Sequence, residues 1–257
     1  MTTHQDLIRE QFTKQAVPFA TAPGIKDEEA LQLLLTCTAA KPDDTVLDVA
    51  CGPGLVVCTF AQVVQHATGL DLVPAMIEQA RTLQQQKGVQ NVSWQVGDIQ
   101  PLPYPDASFS LVTSRYAFHH FLDPLGVLTE MRRVCKPGGK VAVIDVMASP
   151  EPEKAAAYNR AEKLRDPSHT RALPLAEMKA YFHQVGFPVP HETFYHLEAE
   201  LEDTLRRSFP NPGDGDKVRQ MFVDSLTTDG LGVNAQRRGD KIYFAYPIVI
   251  LVATRGN

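Results

Sequence analysis

The sequence predicts an α/β fold in which a mostly parallel sheet is covered by helices on both faces. Two observations carry this. From residue 45 to about 146, short apolar runs alternate with segments whose apolar residues recur every three or four positions. Alternation of strand and helix segments means a parallel sheet covered on both faces by helices. The longest apolar stretch, Tyr243–Ala253, contains Pro247 and falls well short of the roughly 20 residues a membrane span needs, so a buried strand fits it.

Thr45–Ala50 is the first strand, followed by a glycine turn and a helix with Leu55, Val56, Phe60, Val63 and Val64 on its apolar face. His66–Leu72 is the second strand. Pro74 suits a first helical position, and Met76, Ile77, Ala80 and Leu83 continue at helical period. Val92, Trp94 and Val96 alternate as a third strand, and Phe109–Ser114 forms a fourth. Leu125, Leu128, Met131 and Val134-Cys135 trace the next helix, Lys136–Gly139 (KPGG) reads as a helix-stopping turn, and KVAVIDV as the fifth strand. Beyond Asp145 the alternation breaks. Residues 151–165 read as helix, as does a segment carrying Leu175, Met178, Phe182 and Val185 and ending at Gly186. Further strands are expected near 191–198 and 241–253, and 200–239 reads as helical and polar around the loop PNPGDGD. In such sheets the ligand sits at the carboxyl ends of the strands, where strand order reverses.

A chain of 257 residues suits one domain. Lid helices are expected in 1–40, a cofactor-binding core in 41–150, and cap helices with the last strands in 151–257. The 1–40 and 200s segments are read as elements packed over the binding edge. The apolar fraction of 44% and charged fraction of 21% are those of a globular protein. Net charge is −5, and no basic run exceeds a pair, which argues against DNA or bulk RNA as a partner. Four cysteines (Cys37, Cys51, Cys58, Cys135) show no C-x-x-C spacing, so neither zinc nor a disulfide framework is indicated and no metal is expected. The polar start MTTHQDLIREQF lacks the apolar core of a signal peptide, and a cytoplasmic location is expected.

The stretch LDVACGPG (Leu47–Gly54) follows the first strand. A dinucleotide fold needs G-x-G-x-x-G, with a third glycine for close helix packing. Here Gly52 and Gly54 are followed by Val57 at that third place. Asp71 ends the second strand, where its carboxylate can accept from the ribose hydroxyls of any adenosine cofactor. Asp48 discriminates: an acid at the end of the first strand repels a pyrophosphate but suits the ammonium of S-adenosylmethionine (SAM). An NAD-linked oxidoreductase is disfavoured on these grounds.

With these residues in place, VLDVACGPG (Val46–Gly54) resembles the first motif of class I SAM-dependent methyltransferases, and GLDLVPAMIEQAR (Gly69–Arg81) resembles their ribose motif. Val96–Pro124 and Met131–Asp145 resemble the next two motifs, in the pattern of the methyltransferase type 11, ubiquinone/menaquinone-biosynthesis branch. The resemblance implies a Rossmann-like sheet of seven strands, mostly parallel, with helical lid and cap insertions, and SAM as cofactor. It further implies that Asp48 binds the SAM amino group and that the backbone at Ala50, Gly52 and Gly54 passes the methionine moiety. Asp71 would hold the ribose, Leu72 and Met76 would line the adenine pocket, Asp98 would accept from the adenine amino group, and Ile99 would donate from its backbone. Asp98 as a turn-capping acid is the alternative.

Methyl transfer is an in-line displacement with a neutral leaving group, so alignment comes first, and a base is needed only if the nucleophile carries a proton. His119 and His120 follow the fourth strand, where the transferred methyl should lie, and histidine suits proton removal from a phenol, enol or hydroxyl. In related small-molecule methyltransferases the first histidine of such a pair works beside an acid ending the fifth strand. This implies His119 as base and Asp145 as the group fixing its tautomer; helix packing is the alternative for His119 and the favoured reading for His120. Arg115 and Tyr116 sit at the same strand end and would touch the SAM carboxylate, the substrate, or only the loop. Arg165, Asp166, His169 and Arg171 form either an acceptor-pocket wall or a turn held by its own Asp-Pro-Ser hydrogen bonds. Arg9–Gly24 matches the family's lid helix, so Phe12 and Phe19 would close over SAM or simply pack. The expected reaction is methyl transfer to a small-molecule acceptor, with O-methylation favoured over C- or N-. A non-methylating reaction such as cyclisation and an rRNA or protein target are the alternatives, and a homodimer is compatible with either.

Overall fold

The computed structural model describes residues 3–21 and 27–256, with the side chains of residues 19 and 21 left aside. Its strands are β1 (Thr45–Val49), β2 (His66–Asp71), β3 (Val92–Val96), β4 (Phe109–Arg115), β5 (Cys135–Ala148), β6 (Leu173–Pro174), β7 (His191–Glu200), β8 (Gln236–Arg238) and β9 (Lys241–Thr254). Seven of them form one sheet in the order β3-β2-β1-β4-β5-β9-β7, with β6 pairing on β5 and β8 on β9. The pairs from β3 to β5 are parallel, and β9 runs antiparallel to both β5 and β7. Strand order reverses between β1 and β4, so their carboxyl ends open a crevice there.

The helices are α1 (His4–Thr21), α2 (Glu28–Thr38), α3 (Leu55–Phe60), α4 (Pro74–Lys87), α5 (Pro124–Val134), α6 (Pro152–Arg165), α7 (Leu175–Gln184), α8 (Leu201–Ser208) and α9 (Asp214–Thr228). Local chemistry starts several of them. Pro74, Pro124 and Pro152 open α4, α5 and α6, where a missing N–H costs nothing. The Asp27 and Asp123 carboxylates cap α2 and α5 by accepting from Ala30 N and Gly126 N.

Alternate residues of each central strand feed two apolar cores. Val46, Leu111 and Ile144 face α2, α3, α6 and α9. Leu47, Val112 and Val143 face α5 and α7. Burial on both faces explains why these strands read as continuous apolar runs.

Four expectations change. Residues 136–139 do not form a free turn; they are an excursion within β5, where pairing jumps from Phe109↔Cys135 to Leu111↔Lys140. Gly138 N donates to Arg255 O across that excursion, at 2.8 Å. Helix α3 stops at Phe60, so Val63 and Val64 lie beyond it. Among the described residues of the N-terminal forty, only α1 covers the crevice. Helix α2 packs on α3 and β9, and Lys140 Nζ at the opposite end of β5 donates to Thr38 O. The 200s segment also divides: α8 lies beside α1, α9 packs on α6, and residues 236–238 form β8 rather than helix. Among the described residues no helix is long and apolar enough to cross a membrane.

Candidate active site

The chain leaves β1 through a strained turn. Ala50 takes φ 58° and Gly52 φ 52° before α3 begins. An alanine in the left-handed region costs energy that the surroundings must hold, as is common at ligand-binding turns. A Cβ on Gly52 would meet nothing within 4 Å, so its backbone conformation, not crowding, calls for glycine there. Gly54 differs: a Cβ there would lie 2.5 Å from the Trp94 ring and 2.8 Å from Ala80 Cβ.

Two buried acids flank this turn. Asp71 accepts from Gly52 N at 2.8 Å and from Val73 N at 2.9 Å, tying the β1 turn to the end of β2. Asp48 accepts from Thr113 Oγ1 at 2.8 Å across the β1–β4 junction. Burial is the dominant effect on both. It raises Asp48 to about 7 against the hydrogen bond from Thr113, and Asp71 to about 6 against its backbone donors. Each carboxyl therefore gains from a bound cation or hydroxyl donor.

A cavity spans the switch point, lined at its floor by Asp48, Ala50, Gly52 and Asp71 and at one side by Leu72, Met76, Asp98 and Ile99. Helix α1 covers it with His4, Gln5, Ile8 and Phe12. Gln5 Nε2 donates to Asp98 Oδ2 at 2.5 Å, and His4 Nε2 donates to His120 O at 2.7 Å. Asp98 also accepts from the Ile99 and Gln100 backbone N–H groups, so it caps its own loop as well as lining the cavity. These residues fit SAM. A desolvated carboxylate awaits an ammonium, Asp71 retains lone pairs for ribose hydroxyls, and the Leu72–Met76 side offers an apolar slot for adenine.

A second cavity adjoins the first, and Phe12, Tyr116 and His120 line both. Tyr116, at the end of β4, takes φ 57°. Its hydroxyl shares a 2.6 Å hydrogen bond with that of Tyr195, and the Arg115 guanidinium lies 4.2 Å from its ring centroid. His119 lines the second cavity, and its Nδ1 lies 2.5 Å from Asp145 Oδ1. Asp145 also accepts from the backbone of His119 and Val146, so it is a fixed acceptor and Nδ1 carries the proton. Burial opposes a charged His119, but the charge of Asp145 and its hydrogen bond outweigh that and raise its pKa above 6.5. The neighbouring His120 is pushed down to about 3 by burial first and by His119 second.

The polar turn after α6 holds this pair in place. His119 O accepts from Thr170 N, Arg171 N and Thr170 Oγ1. Ser168 Oγ donates to Asp166 Oδ1 at 2.6 Å and lies 3.2 Å from His120 Nδ1. The turn is thus held by its own Asp-Ser bonds and braces both histidines. Arg165 lines the second cavity, donates to Glu162 at 2.7 Å, and gives a further N–H to Ser208 Oγ at 2.6 Å.

Two expected site residues fall elsewhere, and a third lies outside the described residues. His169 is fully buried and lines neither cavity; its Nε2 donates to Asn159 Oδ1 at 2.9 Å, so it supports the turn and is not a pocket wall. Gly54 lines neither cavity, and a Cβ there would press on Trp94. The side chain of Phe19 lies outside the described residues. The sequence reading missed Gln11 and Gln15, both buried on α1. Gln15 Nε2 donates to Asp166 Oδ2 at 3.0 Å and, with Gln11, to Ser208 O. Their i, i+4 spacing was the available signal. Tyr158 and Tyr246, which line the second cavity, carried none.

Comparison with known proteins agrees with this geometry. A family model described as a methyltransferase domain matches residues 47–143. YcgJ of Bacillus subtilis, an uncharacterized methyltransferase, is 32% identical over 93% of this chain and 96% of its own. The crystal structure of YcgJ superposes with a TM-score of 0.81 at 28% identity, covering 90% of this chain and 99% of that one. A 2-phytyl-1,4-naphtoquinone methyltransferase of Synechococcus elongatus is 35% identical over 42% of this chain and 48% of its own. With two buried acids at the switch point and a near full-length methyltransferase relative, the chain belongs to the class I SAM-dependent methyltransferases, in the methyltransferase type 11 family.

Proposed function

We propose that the protein methylates an ionisable hydroxyl of a small molecule seated in the second cavity, with His119 as the base. The observation that carries this is the His119–Asp145 contact of 2.5 Å on the wall of a cavity that joins the cofactor site. Bound SAM supplies a methyl on a positively charged sulfur that departs as a neutral thioether, S-adenosylhomocysteine. Asp48 holds the amino group, Asp71 the ribose, and the Leu72–Met76 side the adenine. Helix α1 excludes water from above. Asp145 keeps the proton on Nδ1 of His119, which leaves Nε2 to take the proton of the acceptor. One relative supports transfer to oxygen by name, a malonyl-[acyl-carrier protein] O-methyltransferase of Erwinia billingiae, 32% identical over 61% of this chain, whereas the naphtoquinone methyltransferase is named for a quinone. They differ in acceptor, so neither substrate is carried over.

The test is His119→Gln, with S-adenosylhomocysteine formation followed against simple phenols and SAM affinity measured by calorimetry. The expected result is a loss of about 10²–10⁴ in kcat with SAM binding kept. Unchanged turnover would remove His119 from this role.

A further inference from the structure

The two histidines at the seam between the cavities are differently built. Their ring centroids lie 4.3 Å apart. His119 gives its Nδ1 proton to Asp145. The single hydroxyl hydrogen of Ser168 goes to Asp166, so Ser168 Oγ can only accept from His120. His120 therefore also carries its proton on Nδ1. Each ring is left with an unprotonated Nε2, one backed directly by a carboxylate and the other through a serine.

The two nitrogens cannot do the same work. Two imidazolium rings at this spacing would place like charges side by side in a buried site. The proton goes to His119, since burial and its neighbour keep His120 neutral down to about 3. A neutral, buried imidazole nitrogen is a hydrogen-bond acceptor that wants a donor. His120 is only 6% exposed, and it lines both cavities.

The surroundings define the rest of the acceptor. Phe12 stands edge-on to His120 at 5.0 Å, and Tyr116, Tyr158 and Tyr246 add flat walls. Five carboxylates line the second cavity against two guanidiniums. Both guanidiniums are paired with acids, Arg165 with Glu162 and Arg207 with Asp203. That balance repels an anionic acceptor such as a phosphate ester or carboxylic acid.

We infer that the acceptor is an uncharged, flat molecule with two neighbouring oxygens, a catechol or enediol, whose one hydroxyl yields its proton to His119 while the other donates to His120. This rests on the methyl-transfer reading above. The first oxygen forms its bond to the methyl carbon as the methyl–sulfur bond breaks. The bonding pair stays on sulfur, and the hydroxyl proton moves to His119 Nε2.

The experiment uses the full chain with SAM, comparing ethyl 3,4-dihydroxybenzoate with ethyl 4-hydroxybenzoate by S-adenosylhomocysteine release. The dihydroxy ester should show kcat/KM about tenfold or more above the monohydroxy ester, the worth of one good hydrogen bond. His120→Phe should bring that ratio close to one. Equal rates for the two esters in the unaltered protein, or a ratio that survives His120→Phe, would overturn the inference and leave the methyl-transfer reading standing. Failure of both esters would overturn the two together. If His120→Phe does not fold, Ser168→Ala releases the ring without replacing it, and the same drop in the ratio is expected.

Discussion

His119 and Asp145 are 26 residues apart in the chain and 2.5 Å apart in space, joined because β4 and β5 are neighbours whose carboxyl ends meet. As a base, His119 must be neutral before it takes a proton. Its pKa is raised above 6.5, so kcat/KM should climb as pH rises through that higher value. Asp145→Asn removes the main raising influence, which should move this limb to lower pH and cut kcat by about 10²–10⁴. The stability sign runs the other way: the raised pKa stabilises the fold fully below 6.5, and that contribution fades as pH rises through the folded value. A rate profile from pH 5.5 to 9 on both proteins checks this, and coincident limbs would contradict it.

Asp48 and Asp71 make the ligand-free protein less stable as pH rises. Their folded values, about 7 and about 6, lie above the ordinary 3.8, so the native state binds protons more tightly than the unfolded one. Their contribution is greatest below pH 3.8 and falls through the window up to about 7. Asp48→Asn should therefore raise the melting temperature of the free protein at pH 8, by about 2–4 °C per kcal/mol recovered, while SAM affinity falls at least tenfold. SAM should bind the unaltered protein with proton release near pH 6.5. Calorimetry in two buffers of different ionisation enthalpy reads that release, and none seen would contradict the assignment.

The two glycines of the turn should fail differently. Gly54→Ala places a methyl against Trp94 and Ala80 at a residue with φ 81°, and should cost about 2–4 kcal/mol of stability. Gly52→Ala meets open space on the cavity side, so it should weaken SAM binding more than folding. Urea unfolding and SAM titration on the two variants separate these outcomes.

Helix α1 is latched by buried amides. Gln15→Leu would leave the Asp166 carboxylate and Ser208 O short of a donor, a loss of about 1–3 kcal/mol in holding the helix down. Hydrogen exchange across residues 4–18 should quicken and SAM should dissociate faster. Exchange equal to that of the unaltered protein would show that the amides do not hold the lid.

Much of the fold was legible in one dimension. A strand buried on both faces has to be written in apolar residues, and Thr45–Ala50 through Phe109–Ser114 were visible for that reason. Asp71 marked an adenosine cofactor, and Asp48 narrowed it to SAM because an acid at the end of the first strand repels a pyrophosphate and suits an ammonium. The Lys136–Gly139 excursion was hidden because a proline-glycine run looks the same in a turn and in a strand bulge. Gln15, Tyr158 and Tyr246 were hidden as pocket walls because nothing local tells a tyrosine or glutamine which way its cavity lies. His169 was placed at the site by its neighbours in sequence, yet its bond to Asn159 holds it in the turn and it lines neither cavity. Sequence alone determined the central strands and the methyl donor they suit, since these follow from local pattern and charge, while the order of the strands, and with it the switch point, came from the tertiary structure. Only the tertiary structure decided what stands beside each histidine, Asp145 at His119 and Ser168 at His120, because long-range packing sets those partners.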